Sequence, residues 1–145
     1  MNENNELLMH IYKTAEMGVY TTKTLLGYIK NKENKIKHVL ESELKEYEKY
    51  MLTSKKILEK ESITPKGNNL MAKVGSDMGI MMETIKDNSD PALASMLIEG
   101  ITMGVVDMES KVKDYKAVCD KNILEIAKDF LKFQENEIEK LKTFM

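Results

Sequence analysis

Apolar residues recur at intervals of three and four along almost the whole chain, and this spacing restricts the fold more than any other feature. Such intervals place side chains along one face of an α-helix. No stretch shows the two-residue alternation of a half-buried strand. The pattern therefore predicts an all-α protein, and 145 residues suit a single helical-bundle domain over residues 1–145.

Proline, glycine and capping residues divide the pattern into five predicted helices. Pro65 and Gly67 end the second helix, and the stretch from Asn88 to Pro91 supplies a restart, with a capping residue and then proline at the first helical position. Asp120 is expected to cap the last helix. The predicted helices cover about 3–31, 33–61, 69–86, 91–118 and 121–141.

Each predicted helix has one line of residues that is expected to face the core. On the first two helices the line is Leu8, Ile11, Ala15, Gly18, Thr22, Leu25, Ile29, and Ile36, Leu40, Glu43, Tyr47, Met51, Ser54, Leu58. On the last two it is Leu93, Leu97, Ile101, Gly104, Met108, Val112, Tyr115, and Ile123, Ala127, Phe130, Gln134, Ile138, Leu141.

The predicted helix over 69–86 has the length of a crossover. About 18 residues of helix rise about 27 Å, which is close to the useful length of a bundle. We therefore expect a four-helix bundle with up-down-down-up order, in which 69–86 is an extra amphipathic crossover helix. A five-helix up-and-down bundle is the alternative that the sequence leaves open.

The chain is rich in methionine, with 12 residues of this type. Methionine at helical spacing usually fills irregular gaps in a core, and this interpretation is favoured here. One alternative is a thioether site for Cu(I) formed by Met78, Met81 and Met82. Another is a groove beside these three residues, Met96 and Met103 that binds an apolar ligand or a partner helix.

Glycines four residues apart indicate close approach between helices. Gly75 and Gly79 have this spacing, as do Gly100 and Gly104. Each glycine lowers helix propensity by about 1 kcal/mol relative to alanine, so a structural reason is expected. A helix–helix crossing is the favoured reason, and a ligand-sized space beside Gly18 and Gly104 is the alternative.

Apolar residues also lie off the predicted core lines, and a helix that is apolar on several sides is usually buried on more than one of them. We therefore expect a homo-oligomer. The outward residues predicted to form its interface are Met9, Met17, Tyr20 and Tyr28 on the first helix, with Met96, Ile98, Met103 and Val106 on the fourth.

Charge and cysteine content argue against several partners. All 22 basic residues are lysine, they are balanced by 24 acidic residues, and no basic face stands out, so nucleic acid is not an expected partner. Glu99 and Asp107 interrupt the longest apolar run, which argues against a membrane span. The single Cys119 and the polar start of the chain suggest a cytoplasmic protein.

Few polar side chains are expected to face inward, and they do not form a catalytic set. Glu43 should lie near Thr22, where it either forms a hydrogen bond or reaches solvent between helices, and Gln134 should lie opposite Gly104. A metal held by Glu43 and Glu46 is a weaker interpretation, because Glu46 is turned by about 100° from the core centre.

No catalytic, cofactor-binding or metal-binding residue is therefore predicted. Cys119 lies at a helix end with no predicted histidine partner, so nucleophilic catalysis has no support either.

Chain length, helix order and the Met- and Gly-rich centre resemble small ferritin-like helical proteins of low-GC bacteria. The resemblance implies a four-helix bundle. Di-iron members carry Glu-x-x-His on two helices, but the place of the glutamate holds Leu7 before His10 and Lys35 before His38. Both histidines are also expected to project roughly opposite the apolar line of their helix. Iron chemistry and cofactors are therefore not transferred.

The expected function is that of a non-catalytic structural or interaction protein that self-associates. The alternatives are a metal-binding ferritin-like protein with an altered site and a binder of an apolar ligand or helix in a Met-rich groove.

Overall fold

The computed structural model describes residues 2–66 and 87–145, which contain four α-helices and no strand. The all-α prediction is confirmed for these residues, whereas the predicted helix over 69–86 lies outside them. The four helices are α1 (Glu3–Tyr28), α2 (Lys37–Lys60), α3 (Asp90–Tyr115) and α4 (Lys121–Lys142).

Most helix ends lie close to their predicted positions, and a capping contact explains the start of α3. The Ser89 side chain accepts a hydrogen bond from the backbone N–H of Ala92 at 3.4 Å, and Pro91 lies in the first turn of α3. Asp120 precedes α4 as expected, but its side chain makes no capping hydrogen bond. The turn between α1 and α2 is longer than predicted, since α1 ends at Tyr28 and α2 begins at Lys37.

At one end of the molecule, Asp90 ties the α1–α2 turn to the start of α3. The Asn34 amide donates to Asp90 Oδ1 at 2.9 Å, and the backbone N–H of Lys35 donates to Asp90 Oδ2 at 3.0 Å. The same Asn34 amide also donates to the carbonyl of Asn88 at 3.0 Å. These contacts join residues that are more than fifty positions apart in the chain.

At the opposite end, the start of α1 is tied to the turn between α3 and α4. The Tyr115 hydroxyl donates to Glu6 Oε2 at 2.7 Å. The backbone N–H of Asp120 donates to Asn4 Oδ1 at 2.8 Å.

The core runs between these two ends, and aromatic rings join α2 to α4 within it. Tyr47 meets Phe133 edge to face with ring centroids 5.0 Å apart, and Tyr50 meets Phe130 in the same way at 4.9 Å. Such pairs add stabilisation beyond their buried area. The fully buried large residues are Leu7, Leu8, Ile11, Leu25, Ile29, Ile36, Leu40, Leu58, Leu93, Met108, Phe130 and Leu141.

Every residue predicted to face inward on α1 to α4 is buried or half-buried, so the core lines are confirmed. The outward set is only partly correct. Met9 is buried, and Met96 and Ile98 pack against the core, because α1 and α3 contact neighbours on their flanks as well as on their central lines. Met103 and Val106 are exposed, at 71% and 61%.

Candidate functional site

A cavity of about 430 Å³ lies between α1 and α3. α1 packs mainly against α2, and α3 packs mainly against α4, whereas α1 and α3 meet only sparsely. The gap between the two helix pairs leaves the cavity open. Its walls include Met17 from α1, with Met96, Leu97 and Ile101 from α3.

Two glycines allow polar side chains to reach the floor of the cavity. A Cβ added at Gly18 would lie 2.5 Å from the Tyr47 ring, and one added at Gly104 would lie 3.0 Å from Gln134 Nε2. The predicted position of Gln134 opposite Gly104 is confirmed. The close approach is therefore between a side chain and a helix backbone, and the ligand-sized space beside both glycines is also present.

Gly100 differs from these two glycines. It lines the cavity, and an added Cβ would meet nothing within 4 Å. A side chain at this position would therefore fill cavity space without displacing a neighbour.

The floor of the cavity holds Glu43 and Gln134, each only 1% exposed. Glu43 Oε2 and Gln134 Oε1 have no hydrogen-bond partner. The expected hydrogen bond is therefore missing at Glu43 Oε2. Buried polar groups without partners are uncommon in proteins, and each calls for a physical explanation.

Burial raises the pKa of Glu43 to about 8, the nearby Glu137 carboxylate adds to this rise, and Lys140 opposes it. Glu43 is therefore mostly protonated and uncharged at neutral pH. Glu137 is buried too, and burial raises its pKa, while its Oε1 accepts a hydrogen bond from Lys140 Nζ at 3.0 Å. Lys140 pairs with Glu137 Oε1, whereas Oε2 of each carboxyl has no hydrogen-bond partner among the described residues.

His10 lines one part of the cavity and joins its two walls. Its Nε2 lies 3.1 Å from Asp107 Oδ2, which links α1 to α3. Burial lowers the pKa of His10, and Asp107 opposes this change. The helical spacing predicts that His10 lies on the side of α1 opposite the core line. That expectation is wrong, because α3 contacts α1 on its flank.

The methionines divide between two environments. Met17 and Met96 line the cavity, whereas Met103 points to the exterior and is exposed. The predicted groove thus includes Met96 but not Met103. The Cu(I) alternative at Met78, Met81 and Met82 lies outside the described residues, as does their predicted role in core packing.

The described parts of the chain place no three His, Cys, Asp or Glu side chains together where they could hold a metal ion. Glu46 lines a separate hollow together with Glu137 and Lys140, so it does not join Glu43 at the cavity.

One of the described helices, α3, is long and apolar enough to cross a membrane, with a mean hydropathy of 1.3 over its most apolar window. A core helix of a globular protein can meet the same criterion, so this property alone is weak support for a span.

Comparison of the chain with protein family models, curated proteins and solved structures returns no match.

Proposed function

We propose that this protein binds a small, mostly apolar molecule in the cavity between α1 and α3. The observation that carries the proposal is the cavity itself, with a volume of about 430 Å³ and an accessible lining that is mostly apolar, to which Met17, Met96, Leu97 and Ile101 contribute. Small-molecule sites are typically concave, mainly apolar and supplied with a few polar groups, and their volumes start at about 300 Å³.

The glycine at position 100 supports this proposal. Glycine inside a helix costs about 1 kcal/mol relative to alanine, and no neighbour lies within 4 Å of the Cβ that another residue would place at Gly100. A larger residue would therefore strengthen α3 and fill the cavity. Glycine at position 100 is explained if the open cavity has a function, because a larger side chain would take up the space that the ligand needs.

Substituting Gly100 tests the proposal directly, and Gly27 offers a matched control. An added Cβ meets nothing within 4 Å at either position, but Gly27 does not line the cavity. Titration with the neutral fluorescent probe N-phenyl-1-naphthylamine should show saturable binding to the wild type and to Gly27→Leu. Gly100→Leu should remain folded and lose at least about tenfold in affinity, because leucine occupies the same space.

Equal binding of the probe by wild type and Gly100→Leu would contradict the proposal, since the probe would then lie elsewhere. Absence of saturable binding to the wild type would contradict it as well. Circular dichroism of all three proteins shows whether a loss of binding reflects the cavity or a loss of fold.

The proposed arrangement of the helices is up-down-down-up, as in ferritin-like bundles, with the predicted helix over 69–86 as the crossover. Two sets of contacts support it. Asp90 at the start of α3 meets the α1–α2 turn, while Asn4 and Glu6 at the start of α1 meet the α3–α4 turn. In this arrangement α2 and α3 run in the same direction, so the connection between them passes along the bundle.

Self-association is a second proposed property, and the exposure of Met103 and Val106 on α3 favours it. Contiguous apolar patches mark surfaces that a partner covers, and Met103 and Val106 are neighbours on α3 because they lie three residues apart. A cytoplasmic location remains a prediction from the sequence.

A further inference from the structure

Two oxygens on the cavity floor have no partner: the Gln134 amide oxygen accepts hydrogen bonds at any pH, and the Glu43 carboxyl oxygen accepts them once it has lost its proton. Glu43 contributes Oε2 from α2, and Gln134 contributes Oε1 from α4. Both residues line the cavity, and both are only 1% exposed. Leaving a buried acceptor unpaired costs free energy. The group that complements this floor is therefore a hydrogen-bond donor that arrives with the ligand.

We infer that the ligand is a primary amine with an apolar body, and that its ammonium group binds Glu43 and Gln134. The inference rests on the proposed function, because it names the ligand class of the same cavity. An ammonium group supplies three donors and no acceptor. A hydroxyl would bring an acceptor as well as a donor, and a carboxylate would bring only acceptors.

The charges around Glu43 are compatible with a cation at the floor. On α4, Glu137 and Lys140 form an ion pair at 3.0 Å, so they largely balance each other. On α2, Tyr47 is uncharged, because burial raises the pKa of its hydroxyl. An ammonium at the floor would therefore be balanced by the carboxylate of Glu43.

The remaining charged groups of the cavity belong to its other walls. His10 on α1 is held in its neutral form by burial, although its contact with Asp107 on α3 opposes this. Lys13 also lines the cavity from α1. Along this helix Lys13 lies about one turn before Met17 and more than two turns before Thr22.

Binding of the amine is coupled to the release of a proton. At neutral pH the carboxyl of Glu43 holds a proton, since its pKa is about 8. When a protonated amine binds, Glu43 gives its proton to the solvent and forms an ion pair with the ammonium. One cation enters and one proton leaves, so the charge of the complex equals that of the free protein.

Three probes with the same apolar chain separate the possible head groups: hexylamine, 1-hexanol and hexanoate. Isothermal titration should show the tightest binding for hexylamine. Its affinity should rise by up to about tenfold per pH unit between about pH 6 and about pH 8, and then level off, because one proton is released. Binding of 1-hexanol should be independent of pH in this interval.

Two variants test the residues. Glu43→Gln and Gln134→Leu each remove one acceptor and nearly preserve side-chain volume. At about pH 8 each should lower the affinity for hexylamine by about tenfold or more, and Glu43→Gln should also abolish its pH dependence. Both should leave the affinity for 1-hexanol unchanged within about twofold. Glu41→Gln, an exposed site on the same helix, should change none of these values.

Tighter binding of 1-hexanol or hexanoate than of hexylamine would overturn the inference. So would an unchanged hexylamine affinity in folded Glu43→Gln and Gln134→Leu. If 1-hexanol still binds and Gly100→Leu blocks it, the proposed function stands and only the ligand class is wrong. If none of the three probes binds the wild type, both proposals fail.

Discussion

Gly18 brings the backbone of α1 against the ring of Tyr47, and this contact forms part of the cavity floor. Alanine at this position would place its Cβ 2.5 Å from the ring, which is far inside normal contact distance. We expect Gly18→Ala to lower the free energy of unfolding by about 1–3 kcal/mol, as overpacked sites usually do. Urea denaturation measures this change.

Gly27→Ala is the matched control for Gly18→Ala, since an added Cβ at Gly27 meets nothing within 4 Å. It should be neutral or stabilising by up to about 1 kcal/mol, because alanine favours the helix. Equal stability of the two variants would show that Tyr47 and α1 do not meet as described.

Glu43 makes the stability of the protein depend on pH. Its pKa is raised from 4.5 to about 8 in the folded state, so folding favours the protonated form. This contribution is complete below about pH 4.5 and is lost progressively as the pH rises to about 8, with a slope of at most about 1.4 kcal/mol per pH unit. Glu43→Gln removes the ionisation and should therefore be more stable than the wild type at about pH 8.

The measurement is the difference in free energy of unfolding between Glu43→Gln and wild type, taken at about pH 5 and about pH 8. This difference should increase with pH, whereas Glu41→Gln should give the same difference at both values, because its side chain is exposed. A pH-independent difference for Glu43→Gln would refute the account of its burial.

At the scale of the helices, Asp90 is the main link between the α1–α2 turn and α3. Its two carboxylate oxygens accept hydrogen bonds from Asn34 and from the backbone of Lys35. Asparagine keeps only one of these acceptors, so Asp90→Asn should lower the free energy of unfolding by about 1–3 kcal/mol.

The matched control is Asp129→Asn, an exposed aspartate on α4, which should change stability by no more than about 0.5 kcal/mol. Thermal denaturation of both variants gives the comparison. A change of similar size in both would mean that the Asp90 contacts contribute nothing specific.

The helices themselves could be predicted because each one satisfies a local rule. The intervals of three and four residues predicted the core lines of all four described helices, and the stretch from Asn88 to Pro91 predicted the start of α3 to within one residue. The predicted first helix nevertheless extended past Tyr28. Its true end depends on the turn that Asn34 and Asp90 hold together, and this long-range contact has no local signal.

The candidate site could be predicted only in part. Glu43, Gln134 and the two glycines were placed correctly, because they lie on the central core lines. His10 and Met17 were placed outside the core, since one apolar line per helix does not show which flank a neighbouring helix will approach. The unpaired oxygens of the floor depend on side-chain positions that periodicity does not describe.

At the scale of the whole molecule, the exposed part of α3 predicts an assembly. Light scattering at about 10 μM should give a mass of at least a dimer for the wild type, because burying Met103 and Val106 removes apolar surface from water. The double variant Met103→Lys with Val106→Lys should be monomeric.

Leu52→Lys is the control for the lysine variants, since Leu52 is also an exposed apolar residue but lies on α2. It should keep the oligomeric state of the wild type. A monomeric wild type would contradict self-association and leave the cavity proposal untouched.

The central claim is that the cavity between α1 and α3 binds an apolar molecule, and methionine methyl NMR tests it most directly. Met17 and Met96 line the cavity, while Met103 and Met145 are exposed. Titration with 1-hexanol should shift the methyl signals of Met17 and Met96 in a saturable way and leave those of Met103 and Met145 unchanged. Unchanged signals for Met17 and Met96, or shifts confined to Met103 and Met145, would contradict the claim.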